Sequence, residues 1–330
     1  MTAHAQRYLE LSRNRRKPQL IIDTDPGQDD AAAILMALGL EKLDLVEVLA
    51  LTTVAGNVSL HNTSKNACVI ADWAGRSDMA VYAGAEKPFI KSLVTAQHVH
   101  GHNGLGGMQL HKAQTPLKVL HAVAYMVDML THVEPYSVTI CAVGPLTNIA
   151  QMLSLAPEAA RGIKEIVIMG GSFFHPGNVT PMAEFNFYVD PHAAQIVLQA
   201  GVPLRILPLD VTHQALLTQA RIQDLAQMGN DNGPRLATLL DHYERHEQAS
   251  LHEGGAPLHD PCAIACAIFP ELFEQKRVHV AVETQGQLTM GACVVDWWNK
   301  SKAVPNVNWA TAVDDVAFFE LFNAAIAALP

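Results

Sequence analysis

The chain predicts an α/β fold, a doubly wound and mostly parallel sheet with flanking helices. Three observations predict it. Apolar strand-like runs alternate with helical patterns through the first two-thirds. A short buried-strand signal, Leu20 to Ile22, leads through a Pro-Gly turn into the Ala-rich apolar run Ala31 to Leu40. The unusual residues fall just past the strand runs, at Asp25, Asn57, the Gly144-Pro145 turn and Gly170-Gly171, where the ligands of such sheets bind.

In order, residues 1 to 17 read as a basic, solvated extension (Arg7, Arg13, Arg15, Arg16, Lys17) ahead of a single domain spanning 18 to 330. Only Leu20 to Ile22 follow it before Asp23, too short a hydrophobic core for a secretory or twin-arginine signal. Strand and helix signals then alternate: Leu45 to Thr53, Ser59 to Ala74, Ala80 to Ala83, Leu117 to Val133, Val138 to Val143, Leu146 to Leu155, Glu165 to Met169, Pro191 to Ala200 and Leu204 to Pro208. Residues 215 to 250 read as mostly helical, and Val278 to Val282, Ala292 to Asp296 and Val307 to Val313 as later strands before a C-terminal helix. The longest irregular stretches, 84 to 115 and 171 to 188, are long enough to be functional.

Composition narrows the classes. The 330 residues are 49% hydrophobic and 16% charged, an ordinary soluble balance. A formal charge of −10 argues against nucleic acid or an anionic membrane as the main partner, and no apolar run is long enough to span a bilayer. Five scattered cysteines, odd in number and without a CxxC pair, read as buried free thiols in a reducing compartment, hence the cytoplasm.

The chemistry concentrates at Asp23, Asp25, Asp29 and Asp30, four carboxylates in eight positions. The turn at Pro26-Gly27 should bring them together at a strand's C-terminal edge, with Asp29 and Asp30 near the positive N-terminus of the next helix. Such mutual repulsion asks for a cation, and an all-oxygen set favours Ca²⁺ or Mg²⁺ over Zn²⁺. An EF-hand loop starting at Asp23 fails, because its sixth and twelfth positions hold Gln28 and Ile34. A DxD phosphatase motif fits Asp23 and Asp25 but leaves Asp29 and Asp30 unexplained.

The stretch DTDPGQDDAAAI resembles the N-terminal signature of the nucleoside hydrolases, the inosine-uridine-preferring family that cleaves the N-glycosidic bond of ribonucleosides. Further matches follow in family order over roughly residues 18 to 325: Val54-Ala55-Gly56-Asn57, His98-Val99-His100-Gly101, Val143-Gly144-Pro145-Leu146-Thr147-Asn148, Ala183-Glu184-Phe185-Asn186 and His259-Asp260-Pro261. The resemblance implies that Asp25 is general base and Ca²⁺ ligand, with Asp30, Asp260 and the main-chain carbonyl of Val143 as the other protein ligands, and Asp23 orienting the loop. It puts Asp29 and Asn186 on the ribose hydroxyls, Asn178 and Glu184 at the 5'-hydroxyl, Asn57 nearby, His100 on the base side and His259 as leaving-group acid.

These residue types suit the task. Amides and carboxylates can bond vicinal hydroxyls and stabilise positive charge on an oxocarbenium-like sugar, and a histidine can donate a proton near neutral pH. The implied protein is a Ca²⁺-dependent ribonucleoside hydrolase of nucleoside salvage, acting on a small molecule as a homodimer or homotetramer. Trp73, Trp297, Trp298 and Trp309 lie outside loops 84 to 115 and 240 to 260, which offer His98, His100, Tyr243, His246 and His259 instead, so the expectation is an inosine-uridine or pyrimidine preference. Two alternatives stay open: a zinc or magnesium hydrolase of another substrate built on His98, His100 and His102 with the Asp cluster, and a catalytically silent nucleoside-binding protein.

Overall fold

A computed structural model describes residues 3–251 and 254–330, with side chains for 5–243 and 254–330. Among them, nine strands form one sheet. Strands β1 (Gln19–Thr24), β2 (Glu47–Thr53), β3 (Val81–Ala83), β4 (Leu117–Lys118), β5 (Val138–Ala142), β6 (Ile163–Met169) and β7 (Leu204–Leu207) are all parallel. Val307–Val313 adds parallel to β7, and Phe273–Val278 closes that edge antiparallel. The spatial order is Phe273–Val278, Val307–Val313, β7, β6, β5, β1, β2, β3, β4. Strands β2 to β4 thus build outward from one side of β1 and β5 to β7 from the other. This reversal makes a crevice beyond the C-terminal ends of β1 and β5, and the aspartates follow β1 into it.

Each face of the sheet carries its own core. Leu20 and Ile22 of β1 join one apolar cluster and Ile21 the other, as side chains alternating across a strand must. Helix α1 (Ala3–Arg13) buries Ala5 and Leu9 in the first cluster, and the Tyr8 hydroxyl donates to Asp314 at 3.1 Å. The expected solvated extension is therefore corrected: its charges face out, but its apolar residues are spaced to pack as a helix.

Helix α2 (Gln28–Lys42) is buried continuously from Gln28 to Leu40, apolar all round because it is covered on every side. Its small residues permit close approach. A Cβ on Gly39 would come within 2.0 Å of the carbonyl oxygen of Ala325, in the helix Asp315–Ala327.

Three stretches differ from the sequence expectation. The run Leu117 to Val133 splits into the edge strand β4 and a helix, Ala122–His132, whose N-cap is His121. The run Val278 to Val282 divides between the sheet strand Phe273–Val278 and a separate ribbon in which Val280–Val282 pairs with Cys293–Val295. Charged Glu274, Lys276 and Arg277 hid that strand, and they are tolerated because it lies at the sheet edge. The stretch 240 to 260, named as a loop bordering the base, begins inside the helix Asn232–Leu251, in keeping with the mostly helical reading of 215 to 250. No helix among the described residues is long and apolar enough to cross a membrane, and all five cysteines are free thiols.

Intrinsic propensity favours Ala over Gly inside a helix by about 1 kcal/mol. Gly39→Ala is nevertheless expected to destabilise the protein by about 1–3 kcal/mol, because the methyl group meets backbone that cannot yield. A thermal melt with an unchanged or raised midpoint would contradict this packing.

Candidate active site

Strand β1 delivers the first carboxylate while still in the sheet. Asp23 lies opposite Thr52 of β2, whose hydroxyl donates to it at 2.6 Å, and Asn148 Nδ2 donates at 2.9 Å. Burial pushes Asp23 up to about 7 against these two donors. Its carboxylate ties β1 to β2 and to the helix Thr147–Leu155, and its main-chain carbonyl accepts from Val143 N–H at 2.8 Å.

The turn after β1 is then shaped by Asp30. Its two oxygens accept from the Thr24 hydroxyl (2.6 Å), Gly27 N–H (2.9 Å), Asn57 Nδ2 (3.0 Å) and Asp25 N–H (3.2 Å), which folds the turn back onto the start of α2. Asp25 Oδ2 accepts from Asn57 N–H at 2.6 Å, while its Oδ1 is buried without a hydrogen-bond partner. Nothing larger than glycine fits alongside: a Cβ on Gly56 would sit 2.1 Å from Asp25 Oδ2, and one on Gly144 2.5 Å from Oδ1. Asn57 thus clamps both Asp25 and Asp30.

Asp260 arrives from the first turn of the helix His259–Ile268. Carboxylate oxygens of Asp29, Asp30 and Asp260 lie within 4.8 Å of one another, all three buried. Burial, and then the facing carboxylates, hold Asp260 and Asp25 well above the usual range. An orphaned carboxylate oxygen beside three converging acids, with no nitrogen or sulfur donor among them, fits a hard divalent cation. Asp29, expected on the sugar, therefore belongs to the carboxylate cluster as well as to the cavity wall.

The cavity above this cluster measures about 390 Å³, and Asp29, Asn57, His100, Val143, Asn178, Glu184, Asn186, His259 and Asp260 all line it. Asn186 Nδ2 donates to the carbonyls of Val143 (3.1 Å) and Met169 (3.2 Å), joining the ends of β5 and β6. Glu184 caps the short helix Phe185–Val189, accepting from Asn186 N–H, Gly171 N–H and Phe187 N–H at 2.8, 2.9 and 3.1 Å. Asn178 Oδ1 accepts from Phe185 N–H at 2.9 Å, closing the 178–185 loop. The last two therefore shape the wall with the oxygens that the resemblance assigns to substrate.

His100 is buried; its Nδ1 accepts from Gln28 N–H at 3.3 Å, and its ring lies nearly parallel to that of Tyr243. His98 and His102 are exposed, and among the described residues no three histidines converge as a metal site, so the zinc reading loses its donor set. His246 lies outside the described side chains. No tryptophan lines the cavity among the described residues.

Sequence reasoning missed Thr24, Asn148, Thr212, His175 and His213. His175 stacks on His213 at 3.8 Å between centroids, His213 lies 5.5 Å from His259, and both line the cavity. Burial pushes His213 down to about 4, and burial with the neighbouring imidazoles holds His259 well below the usual histidine range. The available signal was position, since Thr212 and His213 close the short helix that follows β7.

A family model described as inosine-uridine preferring nucleoside hydrolase matches residues 20–320, through β1, the aspartates and Asp260. The chain belongs to this family. The nucleoside hydrolase chain is 37% identical to the inosine-uridine preferring nucleoside hydrolase of Crithidia fasciculata over 93% of its own length and 97% of that protein. It is 41% identical to the pyrimidine-specific ribonucleoside hydrolase RihA of Citrobacter koseri, covering 93% and 97%. The solved purine-preferring ribonucleoside hydrolase from Gardnerella vaginalis superposes with a TM-score of 0.87 at 32% identity, over 94% and 98% of the two chains.

The raised carboxyls of this hydrolase set a sign for its pH response. Above about pH 4 the folded, cation-free protein keeps protons that the unfolded chain has released, so its stability falls as pH rises through the elevated pKa values. A cation displaces those protons. The rise in melting temperature on adding Ca²⁺ to chelator-treated protein is expected to be larger at about pH 8 than at about pH 5. A gain that is absent at both, or larger in acid, would argue against a cation at this cluster.

Proposed function

We propose that this protein hydrolyses the N-glycosidic bond of ribonucleosides to ribose and free base, with Ca²⁺ as its resident cation and a preference for pyrimidine or inosine-uridine substrates. We further propose a cytoplasmic homodimer or homotetramer acting in nucleoside salvage. The observation that carries the reading is the buried, partnerless Asp25 Oδ1 beside converging Asp29, Asp30 and Asp260, of which Asp29 and Asp260 line a cavity of about 390 Å³. The Crithidia and RihA relatives, whose names specify ribonucleoside hydrolysis, support the substrate class.

Asp25, Asp30, Asp260 and the Val143 carbonyl would hold the cation, with Asp29 beside them. Bound there, a cation would supply positive charge that lowers the pKa of a water toward neutrality. Asp25 takes the water's proton on Oδ1, a lone pair that no protein donor occupies. Asp29 and Asn186 hold the vicinal ribose hydroxyls and Asn178 and Glu184 the 5'-hydroxyl, which fixes the sugar against the floor. Asn57 keeps Asp25 and Asp30 in register. His259, facing the base end with His100, gives the departing base its proton. The pressure of burial on His259 makes it a strong donor once charged and a scarce one at rest, and negative charge developing on the base favours its charged form. The described wall offers His98, His100, His175, His213, Tyr243 and His259, which supports hydrogen bonding over tryptophan sandwiching of the base.

Uridine, cytidine, inosine and adenosine incubated with the purified protein and Ca²⁺ should release ribose from uridine or cytidine and from inosine; an enzyme ignoring both pyrimidines would refute the base preference. Asp25→Asn is expected to lower kcat by at least about a thousandfold, since ligand and proton acceptor vanish together. Near wild-type turnover would exclude that role. 2'-Deoxyribonucleosides should lose kcat/KM by about 10²-fold or more if Asp29 and Asn186 grip the hydroxyls more tightly in the transition state. Equal rates on uridine and deoxyuridine would dispose of the clamp.

A further inference from the structure

We propose that Thr212 is a positioning residue for His259, its hydroxyl holding one ring nitrogen so that the other is turned into the cavity and stays there through proton transfer. The inference rests on the reading of His259 as the leaving-group acid. Thr212 ends the short helix Leu209–Thr212 just beyond β7, is fully buried, and has its Oγ1 2.7 Å from His259 Nδ1. His259 lines the cavity and Thr212 does not, so with Nδ1 held by Thr212 it is Nε2, on the opposite edge of the ring, that is left for the cavity.

A hydroxyl suits this place because it both donates and accepts. It donates to Nδ1 when the neutral ring carries its proton on Nε2, and accepts from Nδ1–H when the ring is charged. During transfer the Nε2–H bond breaks as an N–H bond forms on the departing base, the electron pair of the broken glycosidic bond leaving with the base. The ring passes from cation to neutral, its other proton staying on Nδ1 and still donated to the Thr212 hydroxyl; a proton from solvent, balancing the one that Asp25 later releases, restores Nε2–H. A carboxylate in the same position would only accept, and would add charge to a site already holding five buried acids, Asp25, Asp29, Asp30, Asp260 and Glu184.

The same segment also bounds the ring. Asp210 accepts from Phe173 N–H at 3.1 Å and from Phe174 and His175 N–H at 2.6 Å each, which docks His175 on His213, and His213 in turn flanks His259. Thus Leu209–His213 fixes both the rotation and the packing of the His259 ring.

The test compares Thr212→Val, nearly isosteric but without the hydroxyl, with Thr212→Ser, which keeps it; Thr212→Ala replaces the first should it fail to fold. On uridine and inosine the valine variant should lose about 10- to 100-fold in kcat with KM within about threefold, and should keep most of its rate on 4-nitrophenyl riboside, whose leaving group needs no proton. The serine variant should recover most of the loss. Equal losses on both substrate types, or a serine variant as impaired as the valine one, would overturn the proposal. Imidazole ¹⁵N shifts of His259 in the full-length protein give a readout independent of turnover. They should move in Thr212→Val and return in Thr212→Ser, and unchanged shifts would also overturn it. If the wild type cleaves no riboside, the enzymatic reading fails by itself while these shifts still decide whether Thr212 sets the ring.

Discussion

Burial of like charge at the end of β1 is the constraint on which the site depends. Asp23, Asp25, Asp29 and Asp30 are all withdrawn from water within eight residues, and Asp260 joins them from a distant helix. Isolated carboxylates in such surroundings would cost many kcal/mol and would simply take up protons. The fold answers by aiming donors at two of them. Asp30 receives four hydrogen bonds, and Asp23 receives a hydroxyl and an amide. Asp23 and Asp25 each keep one oxygen without a protein donor, and that of Asp25 lies past the strand's end, on the side of the converging carboxylates.

This arrangement explains the rigidity of what surrounds it. Gly56 and Gly144 approach Asp25 more closely than any side chain would allow, Gly27 packs against His100 and Asn57, and Asn66 donates to the Pro26 carbonyl at 3.0 Å. The turn is thus bound by β2, by the loop after β5, by the 97–107 loop and by the helix Leu60–Trp73. Holding several carboxylates together without a cation opposes folding, so the stability of this region and occupancy of the cluster are linked quantities. The opposite wall is built differently. Glu184, Asn178 and Asp210 spend their oxygens on backbone N–H groups, converting a long irregular segment into a fixed surface.

The sheet supplies the geometry that makes this affordable. Reversal of strand order at β1 leaves a crevice between the loops of β1, β2, β5 and β6; Asp25, Asn57 and Val143 sit close after the C-terminal ends of β1, β2 and β5, while His100, Asn178, Glu184, Asn186 and Asp260 reach the crevice on longer loops and short helices. Residues from positions 25 to 260 converge because parallel strands all end on the same side.

The sequence by itself determined the parallel α/β architecture, the Asp-rich turn after β1 and the family, because each is written in local signals: apolar runs of strand length, a Pro-Gly turn, charges in a short space. Of the residues it singled out, Asp29, Asn57, His100, Val143, Asn178, Glu184, Asn186, His259 and Asp260 line the cavity, while Asp25 and Asp30 lie behind its wall. What only the tertiary structure decided is what each atom does there. Asp29 joins the carboxylate cluster, Glu184 and Asn178 bind nearby backbone, and Asn57 clamps Asp25 and Asp30 from 32 and 27 residues away, pairings that leave no trace in spacing. Thr212, His213 and His175 were silent for the same reason. A threonine and two histidines in unremarkable contexts acquire meaning when β7 ends beside the helix that carries His259. The strand Phe273–Val278 and the packing of α1 were likewise hidden, because an edge position and a neighbouring helix, neither of them local, decide which face of a charged segment is buried.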